Sequence, residues 1–274
     1  MSLPCVLVLA GHDPTGGAGL IADAEAIRAM GGWALTVPTA LTCQTTVNVH
    51  TVMPRPGEEI LATARAVLKD CDIHAIKIGL IAGPSALEAA VELCRMLSPL
   101  PIIIDPVLKA GGGRELSSEL LRAAFVERLL PLADLVTPNL EELARLTGSA
   151  LEDQDTAGQA GKMLATGAGA VLATGTDVAD ALHQPHVTHR LYTPEGIRTW
   201  SWPRLPGSYH GSGCTLASAV AALVARGETL ENACEKAQQF TWQSLERALT
   251  PGRGQHLPDR LSGPFHLPIQ ERMT

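Results

Sequence analysis

The chain has 274 residues, 46% of them hydrophobic and 18% charged, with a formal net charge of −7. That length suits one large α/β domain as well as two small ones, and the acidic balance argues against nucleic acid or an anionic membrane as the main partner. No apolar run approaches the ~20 residues needed to span a bilayer. The six dispersed cysteines (Cys5, Cys43, Cys71, Cys94, Cys214 and Cys234) show no CxxC or zinc spacing, which fits reduced thiols in a cytoplasmic enzyme.

In chain order, Val6 to Ala10 is a continuous apolar run, as in a parallel strand covered on both faces. Because it runs into a glycine-rich turn, Gly11 to Gly19, the start reads as a buried strand rather than a signal peptide. A helix is expected from about Leu20 to Met30. Gly17-Ala-Gly19-Leu-Ile-Ala22 fits a dinucleotide fingerprint, but the acidic residue expected ~20 positions on is missing, which argues against an NAD oxidoreductase. Trp33 to Leu41 reads as a strand ending in the polar group Thr42 to Thr46, and Val47 to Met53 as a further short strand. Helices follow near Glu58 to Lys69 and Pro84 to Met96, with the strand His74 to Ile78 between them.

Pro101 to Asp105 is a buried strand ending in an acid, at the position where open α/β sheets bind ligands. Leu116 to Leu130 predicts a helix, Asp134 to Thr137 a strand, Asn139 to Leu146 and Thr156 to Ala165 helices, and Ala170 to Thr174 a strand ending at Gly175. Arg190–Thr193 and Ile197–Trp202 flank the turn Pro194-Glu195-Gly196 as an antiparallel hairpin. Two helices, about 214–226 and 229–248, close the domain. Residues 1–250 read as one three-layer α/β/α domain with a central, mostly parallel sheet, and 251–274 as a Pro/Gly-rich wrapping tail.

Leu205 to Thr215 joins the hairpin to an Ala-rich helix. Gly211 and Gly213 remove side chains where the backbone enters that helix, so free N–H groups converge on one spot suited to an anion. Cys214 lies in the first turn, where the same field is expected to lower its thiol pKa and make it a base or nucleophile. The other reading is a glycine turn with a small cysteine packed beneath it.

Taken together, the segments Gly11-His12-Asp13-Pro14-Thr15-Gly16-Gly17-Ala18-Gly19-Leu20-Ile21-Ala22-Asp23, Thr39 to Gln44, Ile76 to Leu80, Asp105 to Leu108, Thr137 to Glu142 and His210 to Thr215 carry a resemblance. In this order and spacing the chain resembles the hydroxymethylpyrimidine/phosphomethylpyrimidine kinases of thiamine biosynthesis, in the ribokinase-like superfamily. The resemblance implies a ribokinase-like fold, ATP and Mg²⁺ as cofactors, a homodimer, and phosphorylation of an aminopyrimidine alcohol and then of its monophosphate.

It also implies site roles. Gly11, Asp23, Gln44 and Leu80 would meet the substrate, with the Gln44 amide on a pyrimidine edge and Asp23 accepting from the amino group. Asp23 reads equally as an ordinary acid of a helix's first turns, and Gln44 as a turn residue. Lys77 would hold phosphate or a partner acid, while Asn139, Thr174 and Gly175 would touch nucleotide. Asp105 and Glu142 would carry Mg²⁺, the alternative being a helix cap by Asn139 and a surface Glu142. Gly211, Ser212 and Gly213 would stabilise the transferring phosphoryl, with Cys214 as general base.

Some positions depart from the family. Lys109 is displaced in Leu108-Lys109-Ala110-Gly111-Gly112-Gly113, which puts it in question as a site residue; backbone N–H groups of the glycines would replace it as phosphate ligands. Thr174-Gly175-Thr176-Asp177 and Leu80 also differ from the common pattern. Pyridoxal kinase and a non-catalytic pyrimidine-binding regulatory protein are the competing expectations.

Overall fold

The computed structural model describes residues 3–109, 113, 115–151, 153–175 and 184–262. Their strands are β1 (Cys5–His12), β2 (Trp33–Gln44), β3 (Val49–Pro54), β4 (Ile73–Ile78), β5 (Ile102–Ile104), β6 (Leu135–Val136), β7 (Val171–Thr174), β8 (His186–Thr193) and β9 (Gly196–Pro203). They form one sheet in the order β3-β2-β1-β4-β5-β6-β7-β8-β9. The pairs from β2 to β7 are parallel, whereas β3 and the β8–β9 hairpin add antiparallel edges.

Strand alternation divides the core in two. Leu7, Leu9, Ile76, Ile78, Ile102 and Ile104 face one layer, built by α2 (Gly57–Leu68), α3 (Pro84–Met96), α4 (Glu119–Arg128), α5 (Leu140–Leu146) and α6 (Thr156–Leu164). Val6, Val8, Ala10, Ala75 and Ile103 face α1 (Gly19–Ala29), α7 (Ser212–Ala225) and α8 (Leu230–Glu246). A strand buried on both faces needs apolar residues at every position, which is why β1 reads as an unbroken run. Helix α7 is fully buried from Thr215 to Leu223, because it lies between the sheet and two helices.

The helix starts follow local chemistry. Ser118, Asp155 and Thr229 accept N–H groups of α4, α6 and α8, and Pro84 opens α3. The expected helix 116–130 is shorter: Ser118 caps its start, and a 3₁₀ turn at Leu130–Leu132 follows its end. The β2 strand continues through Gln44, so this residue ends a strand rather than sitting in a loop. Of the expected tail, 251–262 packs on the domain, with Leu249 paired to Leu257 and Tyr209 to His256. Residues 263–274 lie outside the described residues, as do Ala110, Gly111, Gly112, Thr176 and Asp177.

Candidate active site

The carboxyl ends of the parallel strands open into a cavity of about 670 Å³. Ala10, Gly11 and His12 contribute from the end of β1, Asp105 from after β5, Thr137 from after β6, and Thr174 from β7. Gln44, Leu80, Asn139 and Glu142 also line it, as do Gly211, Ser212, Gly213 and Cys214 at the start of α7. Ligands bind in open α/β sheets at this end.

Helix α7 begins without a side-chain cap. Its N-cap is Gly211 at φ 84°, and no side chain accepts its first N–H groups. Ser212, Gly213 and Cys214, which carry these orphan donors, line the cavity; α1, α2 and α3 also start without a side-chain cap, whereas α4, α5, α6 and α8 each have one. A Cβ at Gly211 would lie 1.8 Å from the Gly17 carbonyl oxygen, so the turn requires glycine for both its backbone conformation and its close approach.

Beneath this turn lies a buried charge cluster. Lys77 shares its strand face with Ala75, toward α1 and α7, and is fully buried. Its Nζ is 2.8 Å from Asp23 Oδ1 and 4.0 Å from Asp105 Oδ2. Ser218 of α7 also donates to Asp23, at 2.7 Å. Burial alone would discharge Lys77, but Asp23, and more weakly Asp105, hold its ammonium above the ordinary lysine range. Of the two roles expected for Lys77, the structure fills that of partner to an acid.

Asp23 is corrected. It is fully buried and does not line the cavity; its Oδ1 is taken by Lys77 and Ser218, while its Oδ2 has no hydrogen-bond partner. The signal read as a substrate ligand belongs to an interior ion pair.

The surroundings of the Cys214 thiol work against the expected depression. Burial pushes the thiol well above its usual value, Lys77 opposes this, and Asp105 and Asp23 add to it. The thiol is therefore neutral at rest. It hydrogen-bonds Asp105 and receives the Gly19 N–H. Asp105 is itself raised, chiefly by burial and further by Asp23, against the pull of Lys77.

Glu142 serves the helix start and also reaches the cavity. With Asn139 it closes a capping box on α5: Glu142 N–H donates to Asn139 Oδ1 at 2.8 Å, and Asn139 N–H donates to Glu142 Oε2 at 3.0 Å. Its other oxygen accepts from Leu108 N at 3.5 Å, and the carboxylate still lines the cavity. Thr174 lines the cavity, but Gly175 does not; a Cβ there would lie 2.5 Å from the Thr188 carbonyl oxygen. Lys109 lines the wall within a set of acids, pairing with Glu141 and, at 3.6 Å, with Glu115.

Among the described residues no group of three or more His, Cys, Asp or Glu side chains is placed to hold a metal ion. The cavity nevertheless offers hard oxygen donors. Glu142 presents a carboxylate to it, and Asp105 Oδ2 is buried with no hydrogen-bond partner. Such a set fits Mg²⁺ in its usual mode, in which one or two carboxylates are completed by water and phosphate oxygens.

Three contributors escaped the sequence reading. Asp13, 3% exposed, accepts from Thr15 N and Oγ1, both at 2.8 Å, from Ala18 N at 2.9 Å, and meets His210 Nε2 at 2.9 Å. Burial would raise its carboxyl, but hydrogen bonds from His210, Gln44 and Thr15 hold it well below the usual carboxylate range. Asp13 and His210 stand inside two quoted motifs, so their positions were visible although their pairing was not. The third, Arg260, is a buried residue of the tail. At the far end of the cavity Trp202 Nε1 donates to Gln238 Oε1 at 3.0 Å, beside His189.

Comparison with known proteins agrees with this geometry. A family model described as phosphomethylpyrimidine kinase matches residues 13–259. A hydroxymethylpyrimidine/phosphomethylpyrimidine kinase of Escherichia coli K12 is 34% identical over 95% of this chain and 96% of its own. A thiamine biosynthesis bifunctional protein of Geobacter sulfurreducens is 32% identical over 91% of this chain and 50% of its own length. Among solved structures, the ADP complex of Bacillus subtilis pyridoxal kinase superposes with a TM-score of 0.86 at 26% identity, covering 94% of this chain and 98% of that one.

Proposed function

Because the chain belongs to the phosphomethylpyrimidine kinase family, we propose that it transfers the γ-phosphoryl of ATP to the primary hydroxyl of 4-amino-5-hydroxymethyl-2-methylpyrimidine, and then to the resulting monophosphate, in thiamine biosynthesis. The observation that carries this reading is the uncapped start of α7, which shares one cavity with Gln44.

In the proposed reaction the Gln44 amide meets the aminopyrimidine edge, with Gly11 and Leu80 packing against the ring. Asn139 and Thr174 lie on the nucleotide side. N–H groups of Ser212, Gly213 and Cys214 receive the charge of the transferring phosphoryl, a role that a preorganised helix start performs without reorganisation. Glu142 would hold Mg²⁺, which on binding supplies charge neutralisation between nucleotide phosphates.

The neutral thiol calls for a different account of the hydroxyl proton. As the new O–P bond forms, the proton passes to Cys214 Sγ while the thiol's own proton passes to Asp105, to which it is hydrogen-bonded. Asp105 is the acceptor because it stands next to the thiol, and Glu142, elsewhere in the cavity lining, would carry the metal. Dissociative phosphoryl transfer needs this proton removed only late, so a thiol that is neutral at rest is adequate.

The likeness to pyridoxal kinase makes pyridoxal the second acceptor to consider. Purified protein given Mg-ATP and each alcohol in turn should release ADP with a higher kcat/KM for the aminopyrimidine. A preference for pyridoxal would replace the reading with its alternative, and no ADP release with either would remove it. A cytoplasmic location and a homodimer complete the proposal; no described helix is long and apolar enough to cross a membrane.

A further inference from the structure

Arg260 lies in the tail, yet it is only 4% exposed. The segment leading to it crosses two loops and the end of α8. Gly254 N and Gln255 N donate to Thr46, at 3.1 and 3.0 Å. His256 N donates to Ser208 O, and His256 O accepts from His210 N, both at 2.9 Å. Asp259 N then donates to Ser244 O at 2.9 Å, and the next residue turns inward.

Burying a guanidinium costs several kcal/mol unless its donors are met. Here they are met on three elements. Nε donates to Thr215 Oγ1 at 2.8 Å, and Nη1 to Gly16 O at 3.2 Å and to Glu25 Oε2 at 3.0 Å, while Nη2 donates to Gly17 O. Thr215 passes the contact on, since its hydroxyl donates to Gly211 O at 2.7 Å. A Cβ at Gly211 would lie 3.0 Å from Arg260 Nη2 as well as 1.8 Å from Gly17 O. The guanidinium, the Gly17 carbonyl and the N-cap of α7 therefore touch in one plug directly behind the phosphate cradle.

We propose that Arg260 is a positioning residue for phosphoryl transfer. Its planar fork fixes the glycine loop at 16–17, which continues into the Asp13 hub and the substrate wall, against the start of α7. Arg260 meets neither substrate nor phosphate. A lysine keeps the charge beside Glu25 but has no fork to hold two carbonyls and a hydroxyl at once. The inference rests on the kinase reading above, because it assigns the two walls to alcohol and phosphoryl.

In-line transfer tolerates little misplacement, with ~1 Å costing about 10²-fold. The test compares wild type with Arg260→Lys and Glu25→Gln. Arg260→Lys should lower kcat per folded molecule by about tenfold or more with KM for ATP nearly unchanged, and should raise ADP release relative to phosphorylated alcohol. Glu25→Gln removes the charged partner but not the fork, and should lower the melting temperature while leaving kcat and the coupling ratio as they are. In parallel, amide hydrogen exchange of 16–19 and 211–215 in ligand-free protein should quicken by about tenfold or more in Arg260→Lys, with exchange in α3 unchanged.

Unchanged kcat and coupling in Arg260→Lys, or exchange that quickens equally across the whole domain, would overturn the proposal. If wild type phosphorylates neither alcohol, the kinase reading fails, and the exchange measurement alone decides whether Arg260 positions the two walls.

Discussion

Two sets of polar groups meet at Cys214, and they differ in almost every physical respect. Behind it Asp23, Lys77 and Asp105 form an ion cluster at 0%, 0% and 5% exposure, closed on one side by Ser218. In front of it Gln44, Asn139, Glu142 and the start of α7 line an open cavity. Both sets are drawn from the same motifs and the same residue types. The comparison teaches that a charged residue in a kinase motif can serve the reaction without touching a ligand. The inner set fixes the charge and protonation around Cys214, while the outer set meets what enters the cavity.

The widest separation between the two sets should appear in stability. Lys77→Met strips the ammonium from two buried carboxylates and should cost about 3–5 kcal/mol in denaturant unfolding. A Lys77 that served as a phosphate ligand would instead leave stability intact and raise KM for ATP. Asp23→Asn discriminates in the same way, and loss of substrate affinity at unchanged stability would return Asp23 to the cavity.

A smaller effect comes from the far end of the cavity. Burial lowers His189 to about 4, with a hydrogen bond to Gln238 opposing the shift. A depressed histidine stabilises the fold where the imidazole is neutral in both states. That stability is complete above the ordinary value of 6.5 and is lost as pH falls from there toward 4, by at most about 3 kcal/mol. His189→Gln should flatten this part of the stability curve, and an unaltered acid limb in the variant would contradict the assignment.

The outer set should show the converse pattern to Lys77. Gln44→Ala should reduce kcat/KM for the aminopyrimidine by about 1–3 kcal/mol, the cost of an unmet polar edge, and should cost less stability than Lys77→Met, because the buried group it deprives, Asp13, keeps its bonds from His210 and Thr15. The smallest effect is chemical. Iodoacetamide should modify exposed Cys43 before Cys214, whose thiol is less accessible and held in its unreactive neutral form. Peptide mapping would show the order, and faster modification of Cys214 would restore the activated thiol.

Much of the fold was legible because short-range patterns report burial. The apolar run of β1, the proline at the start of α3 and the Asn139–Glu142 spacing each have one good structural solution. The uncapped start of α7 was legible too, since Gly211 and Gly213 leave nothing to cap it. What sequence could not supply was the depth of each group. Asp23 and Gln44 both looked like polar residues beside a strand or helix end, yet one is paired inside and the other lines the cavity. The direction of the Cys214 thiol was not legible because the burial that raises it, and then Asp105 and Asp23, come from distant elements. Arg260 gave no signal at all, since most of its partners are backbone carbonyls and a hydroxyl remote in the chain.

The most direct test of the kinase reading and of its proton path is phosphorus NMR of the purified chain with Mg-ATP and the aminopyrimidine alcohol, for wild type and Cys214→Ala. The account predicts a phosphate monoester followed by a pyrophosphate ester in wild type, both slowed by about 10²-fold or more in the variant, with the alcohol still bound. Inorganic phosphate as the sole product in wild type, or esters formed at an undiminished rate in Cys214→Ala, would contradict it.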